Sequence, residues 1–287
     1  MGPQELITVT RRGARLDAPR RPRIGVVKFA SCDGCQLTLL DLEDELLAIA
    51  ERVDLIEFAE ATSRRSMGPF DVLFVEGSIS TAEQVEEIAR LRAVSHRLIT
   101  IGACATAGGI QAMRNWFELD EVHATVYPEP TYVESLAQAR PVSDFVAVDG
   151  ELRGCPISPA QLREFLVALV TGRRAQLPDE AVCTECKRRN VVCVAVAQGI
   201  PCLGPVTRTG CGAICPAYGR GCYGCFGPRE SANTTSLAEW FSDSHSAAEV
   251  GRLFSGFTAW SEPFRSAIDA HGGPPGQAKV TEEPGDA

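Results

Sequence analysis

Short apolar runs and one-sided helical patterns alternate along the first two-thirds of the chain. Residues 24–30 read as a buried strand, and Leu39, Leu42, Leu46 and Ile49 then fall at spacings that keep one apolar helix face. Strand-like runs follow at 55–58, 72–75, 98–101 and 145–148. Between them lie helical patterns at 82–91, 105–116 and 159–170; in the last, Leu162, Phe165, Leu166 and Leu169 share one side. Strands that are apolar throughout, rather than alternating, are those buried on both faces. The pattern therefore predicts an α/β fold: a flavodoxin-like parallel sheet with helices on both faces, spanning residues 23–175.

Near residues 172–178 the pattern stops. From 181 to 228 there are eight cysteines, many glycines and prolines, and little periodicity. Bound metal can organise a segment that lacks a regular apolar face, so residues 176–270 are expected to form a small irregular metal-binding domain with short helices. Ser246 and Glu249 have the spacing of a capping box at a helix start. Residues 1–22 are expected to be a flexible basic arm, and residues 271–287, rich in Gly, Pro and Glu, a disordered tail.

Composition narrows the functional classes. With 45% hydrophobic and 23% charged residues, the 287-residue chain can bury an ordinary core. A net charge of −9 argues against a nucleic-acid or anionic-membrane partner. No apolar run approaches the roughly eighteen residues of a membrane span. The arginine pairs Arg11-Arg12 and Arg20-Arg21 are not followed by the apolar stretch an export signal needs. A cytoplasmic location is the expectation. Disulfides are rare there, so twelve cysteines point to metal or redox chemistry.

The first cysteine group is Cys32, Cys35, Cys104 and Cys155. Each follows an expected strand, and each lies beside or near glycine. The carboxyl ends of parallel strands form the binding crevice of open α/β sheets, so four residues distant in sequence can meet there. Four thiolates suit a 4Fe-4S cluster or a tetrahedral zinc. The second group is Cys183, Cys186, Cys193, Cys202, Cys211, Cys215, Cys222 and Cys225, enough for two four-cysteine sites. Cys215-Pro216 echoes the close of a ferredoxin ligand run, while paired Cys-x-x-Cys is also a zinc-ribbon signature. The histidines His96, His123, His245 and His271 stand apart from every cysteine motif.

Ser31-Cys32-Asp33-Gly34-Cys35-Gln36-Leu37, Phe74-Val75-Glu76-Gly77-Ser78, Gly102-Ala103-Cys104-Ala105 and Gly154-Cys155-Pro156 resemble the proximal-cluster framework of nickel–iron hydrogenase small subunits. Further along, Pro201-Cys202-Leu203-Gly204-Pro205-Val206-Thr207, Gly210-Cys211-Gly212-Ala213-Ile214-Cys215-Pro216 and Cys222-Tyr223-Gly224-Cys225 resemble the delta subunits of cytoplasmic, NADP-linked hydrogenases, the sulfhydrogenases. The resemblance covers about residues 23–228. It implies that Cys32, Cys35, Cys104 and Cys155 hold a proximal 4Fe-4S cluster. Cys211, Cys215, Cys222 and Cys225 would hold a medial one, and Cys183, Cys186, Cys193 and Cys202 a distal one. Periplasmic relatives place a histidine where Cys183 stands and have no fourth thiolate at Cys215. All-thiolate ligation favours low potentials, which suit nicotinamide chemistry.

The resemblance also implies partners. Three clusters occupy all twelve cysteines, so hydrogen cleavage is expected on a large nickel–iron subunit, with no catalytic residue on this chain. Iron–sulfur and flavin subunits carrying FAD and NADP would complete the path to NAD(P)⁺. Glu76, ending the third strand, is expected near the proximal crevice, in an interface or proton route or as a cap on a nearby helix. Two related alternatives are subunits of deazaflavin-reducing or disulfide-reductase-linked hydrogenases. The quinone-reductase small subunit of respiratory complex I shares the N-terminal fold but uses adjacent cysteines, and no Cys-Cys pair occurs here. A zinc-stabilised binding module is the alternative of a different class.

Overall fold

The computed structural model describes residues 21–273. The expected basic arm, but for Arg21 and Pro22, and the expected tail, but for His271, Gly272 and Gly273, lie outside the described residues. The centre of the fold is a five-stranded sheet of β1 (Arg23–Lys28), β2 (Asp54–Phe58), β3 (Phe70–Glu76), β4 (Ser95–Ile101) and β5 (Gly150–Leu152). Their order is β2-β1-β3-β4-β5, and every neighbouring pair runs parallel. This is the flavodoxin-like order, whose switch point lies between β1 and β3.

Both sheet faces are covered, as the continuous apolar runs require. On one face Ile24, Val26, Val72, Phe74, Ile99 and Ile101 meet Leu39 of α1 (Gly34–Leu40). Leu46 and Ile49 of α2 (Asp44–Ala50) pack at the margin of the same cluster. On the other face Leu73, Val75 and Leu98 meet Ile88 and Leu91 of α3 (Ala82–Ala93) and Ala105 of α4 (Gly102–Ala107). Helix α5 (Leu119–Val126) follows on that connection, and α6 (Pro159–Thr171) buries Leu162 and Leu166 against the first face. The face shared by Leu162, Phe165, Leu166 and Leu169 is therefore as its periodicity indicates.

Three expectations need correction. The pattern from Leu39 to Ile49 is not one helix: the chain turns at 41–43, with Glu43 at φ 48°, and restarts as α2. Residues 105–116 are likewise split, because Gly108 and Gly109 take φ 79° and 65°; beyond them the chain tightens into a 3-10 turn, Ile110–Trp116. The run 145–148 is not a strand. Its side chains Phe145, Val146 and Val148 pack from a loop onto the second face, and the edge strand is β5, just downstream.

Beyond α6 the chain has no sheet strand among the described residues. Short helices α7 (Val182–Arg188), α8 (Val194–Gln198) and α9 (Ile214–Ala217) alternate with turns through the cysteine-rich stretch. Then α10 (Thr234–Ser242), α11 (Ala247–Phe254) and α12 (Glu262–Ala270) pack together around Leu237, Phe241, Val250, Phe254, Phe264 and Ile268. That cluster is separate from the two that flank the sheet and takes in Cys202 and Cys222. Helix α11 opens with the capping box expected at Ser246 and Glu249. No helix among the described residues is long and apolar enough to cross a membrane.

Candidate iron–sulfur sites

Three loops at the carboxyl ends of the sheet strands bring the first cysteine group together. Cys32 and Cys35 lie where β1 turns into α1, Cys104 lies in α4 directly after β4, and Cys155 follows β5 by three residues. Burial pushes the Cys35 thiol up, and the charges of Cys104 and Cys155 push it further. Burial raises Cys104 to about 11, with added pressure from Cys155 and Cys32, and raises Cys155, which also senses Cys32. The four thiols therefore lie within electrostatic reach of one another.

The backbone around them is shaped for a bulky sulfur-rich group. A Cβ on Gly102, which has φ 83°, would collide with the Cys35 sulfur. In the second group, a Cβ on Gly204 would stand 3.3 and 3.4 Å from the sulfurs of Cys202 and Cys183. Amides also point at the sulfurs: Gly204 N–H donates to Cys202 at 3.4 Å and Gly224 N–H to Cys222 at 3.5 Å. Such donors stabilise thiolate charge and are the usual surroundings of a cluster ligand.

The eight later cysteines sense one another in two neighbourhoods, with Cys186 reaching both: it senses Cys202 and Cys193 and also Cys211. Cys183, raised to about 11 mainly by burial, senses Cys202, Cys186 and Cys193. Cys225, raised to about 12 mainly by burial, senses Cys211 and Cys215, and Cys211 senses Cys215. Cys222 stands between the two, raised by burial and by the charges of Cys202 and Cys225. Cys222 N–H donates to the Cys202 sulfur at 3.2 Å, which joins the two later neighbourhoods, and Cys225 also senses the charge of Cys155 in the first group.

Among the described residues, no three His, Cys, Asp or Glu side chains are gathered closely enough to hold one metal ion. The donor set is all sulfur, the chemistry of a cube of iron and sulfide that takes each thiolate on a different iron. Three of the four histidines have ordinary partners: His123 Nε2 pairs with the Ser135 hydroxyl at 2.8 Å, His245 Nδ1 with the Phe241 carbonyl and His271 Nδ1 with the Ala267 carbonyl.

Glu76 is 1% exposed at the end of β3. Its Oε1 accepts the Cys35 N–H at 3.2 Å and its Oε2 the Gln36 Nε2–H at 2.9 Å. Asp33, in the left-handed region, does not cap α1, and Glu76 supplies acceptors to that helix start from the neighbouring strand. Burial raises its pKa, opposed by these hydrogen bonds. Sequence reasoning named Glu76 but missed Gln36, whose buried side-chain amide donates to Glu76 Oε2 and holds the carboxylate in place. It also missed Glu185, whose carboxylate contacts the second cysteine group.

Comparison with known proteins agrees with this geometry. The family model described as NADH ubiquinone oxidoreductase, 20 Kd subunit, matches residues 32–169. Sulfhydrogenase 2 subunit delta of Pyrococcus furiosus is 36% identical over 238 residues, covering 83% of this chain and all of that protein. A subunit of the F420-non-reducing hydrogenase of Methanocaldococcus jannaschii is 30% identical, covering 73% of this chain and 83% of its own. A solved structure of an NAD⁺-reducing NiFe-hydrogenase in the H2-reduced state matches with a TM-score of 0.52 at 29% identity, over 55% of this chain and 96% of that one. The parallel sheet, the cysteines at its strand ends and these relatives lead to one conclusion: the chain belongs to the family of hydrogenase small subunits that includes the sulfhydrogenase delta subunits.

Proposed function

We propose that this chain is the electron-transfer small subunit of a soluble, cytoplasmic nickel–iron hydrogenase. In this reading Cys32, Cys35, Cys104 and Cys155 hold a proximal 4Fe-4S cluster. Cys211, Cys215, Cys222 and Cys225 hold a medial one, and Cys183, Cys186, Cys193 and Cys202 a distal one. Bound, these clusters would supply one-electron transfer between a hydrogen-activating large subunit and iron–sulfur and flavin subunits that reduce NAD(P)⁺.

The observation that carries the reading is the convergence of Cys32, Cys35, Cys104 and Cys155 on the carboxyl ends of parallel strands, with Cys222 N–H bonded to the Cys202 sulfur at 3.2 Å in the later group. With the sets grouped by order along the chain, that bond joins a medial ligand to a distal one. Glu76 has a structural part in it: both its oxygens are engaged at the start of α1, which fixes Cys35. The 30% identity to a subunit of an F420-non-reducing hydrogenase keeps the acceptor as the point to test, with a disulfide-reductase partner as the second reading in place of the nicotinamide one.

Purification under strict anaerobiosis tests the assignment. A large nickel-containing subunit is expected to accompany the chain, and the complex is expected to reduce NAD(P)⁺ with hydrogen. A folded, iron-free chain isolated alone refutes the hydrogenase reading. A complex that consumes hydrogen with a disulfide acceptor but not with NAD(P)⁺ selects the second reading. Within the complex, Cys215→Ser is expected to alter the medial EPR signal and leave the proximal one intact; loss of the proximal signal instead overturns the grouping.

A further inference from the structure

We propose that the surface around Cys193 is the docking face for an electron acceptor that is itself an iron–sulfur protein with an acidic surface. Val192 and Val196 form the apolar centre of this face, and Lys187 and Arg188 its cationic rim. The inference rests on the cluster reading of the preceding section, which takes Cys193 as a distal ligand, and it adds the chemistry of the partner that this ligand faces.

Of the eight later cysteines, Cys193 alone is exposed; the others are buried or half-buried. A cluster held there reaches the surface at this point, as an electron exit requires. Its neighbours are apolar and uncovered, with Val192 67% and Val196 77% exposed. Helix α8 buries only Val194 and leaves Val196 outward. Apolar residues scattered singly over a surface are ordinary, whereas a group of them rimmed by charge marks a contact site.

The local fold sets the rim beside that centre. Lys187 and Arg188 end α7, and Asn190, at φ 54°, turns the chain. Asn190 N–H returns to the Lys187 carbonyl at 3.1 Å and Val191 N–H to the Cys186 carbonyl at 2.9 Å. This tight turn keeps the end of α7 next to Val192 and Cys193.

Charge then selects the partner. The stretch from Cys186 to Arg229 contains no Asp or Glu, although the chain has 37 of them and a net charge of −9. Within it, Arg208 pairs with Asp179 at 2.9 Å and Arg189 donates to the Gly212 carbonyl. Arg188 lies 2.8 Å from Glu180, but the two side chains are 64% and 44% exposed, a pair that water weakens and a partner can replace. Basic residues suit the last turn of a helix such as α7, but its dipole does not account for so long a stretch without a carboxylate. An acidic protein is repelled by this chain as a whole, so a local cationic face orients it toward the one place where it can bind. There one electron passes from the distal cluster to the acceptor's, oxidising the first and reducing the second, with no bond broken and no proton moved.

The subunit content of the complex, purified anaerobically at low salt, tests the proposal, together with hydrogen-driven reduction of a viologen dye and the distal EPR signal. Lys187→Glu combined with Arg188→Glu is expected to release the iron–sulfur acceptor subunit and to raise the concentration of purified acceptor needed for rebinding by at least about tenfold. The nickel-containing subunit stays bound, and dye reduction persists. Val196→Asp is expected to release the acceptor with the rim intact, and added sodium chloride to weaken rebinding in the unaltered complex. Acceptor occupancy unchanged in variants that keep the distal signal overturns the proposal, and a shifted distal midpoint at full occupancy assigns the cations to balancing cluster charge instead. Release of the nickel-containing subunit, or a change only in the number of copies of this chain, gives the face a different occupant and also overturns it. An unaltered complex that reduces no dye with hydrogen sinks the hydrogenase reading, and the proposal with it. Where the double variant does not assemble, Val196→Asp and the salt dependence of the unaltered complex decide.

Discussion

Single residues at the strand ends decide whether a cluster fits. Gly102 is the sharpest case, since any side chain there meets the Cys35 sulfur and the backbone is already in the left-handed region. Gly102→Ala is expected to abolish the proximal EPR signal and to lower bound iron by about a third, with the other signals retained; a variant with all its iron contradicts the cradle. The twelve cysteines were legible in the sequence because their chemistry is written in their type and spacing. Glu185 and Gln36 were not. A glutamate or glutamine carries no mark of function until tertiary contact places it against a sulfur or a buried helix end. For Glu76, strand position indicated the crevice, but only the contact to Cys35 N–H shows that it caps a helix from outside that helix.

Elements were legible where periodicity and capping agree. The α6 face and the α11 capping box are examples: in α11 Ser246 accepts Glu249 N–H and Glu249 Oε2 accepts Ser246 N–H at 2.9 Å. Ser246→Ala is expected to cost about 1 kcal/mol locally. Native-state hydrogen exchange should then show first-turn α11 amides exchanging about fivefold faster, with α6 unchanged; equal rates in both proteins contradict a working cap. Where apolar pattern stood alone it misled. Residues 145–148 are apolar because a loop packs onto the sheet face, and a short apolar run does not distinguish that from a strand. The break at Gly108 and Gly109 was foreseeable from the glycine pair, but the split between α1 and α2 was not, since Glu43 takes its positive φ without a sequence signal.

At the scale of the whole molecule, the sheet and the cysteine-rich region are held in register by more than the candidate clusters. Trp116 donates its indole N–H to Asp269 at 2.9 Å and meets Trp260 edge-on at 5.1 Å, with Arg265 stacked over Trp260 at 4.8 Å. This contact ties the segment after α4 to the C-terminal helices that pack around Cys202 and Cys222. The cysteine-rich stretch has little regular structure, so iron removal by anaerobic chelation is expected to expose residues 181–228 to protease while 23–171 stay resistant. Cleavage in the sheet first contradicts that division. The central claim is that twelve cysteines hold three cubes, and Mössbauer spectroscopy with iron and acid-labile sulfide analysis of the intact complex tests it most directly. After subtraction of what the partner subunits bind, the account predicts about twelve irons and about twelve sulfides on this chain, all in cubane environments. Zinc in place of iron, or iron for a single cube, contradicts it.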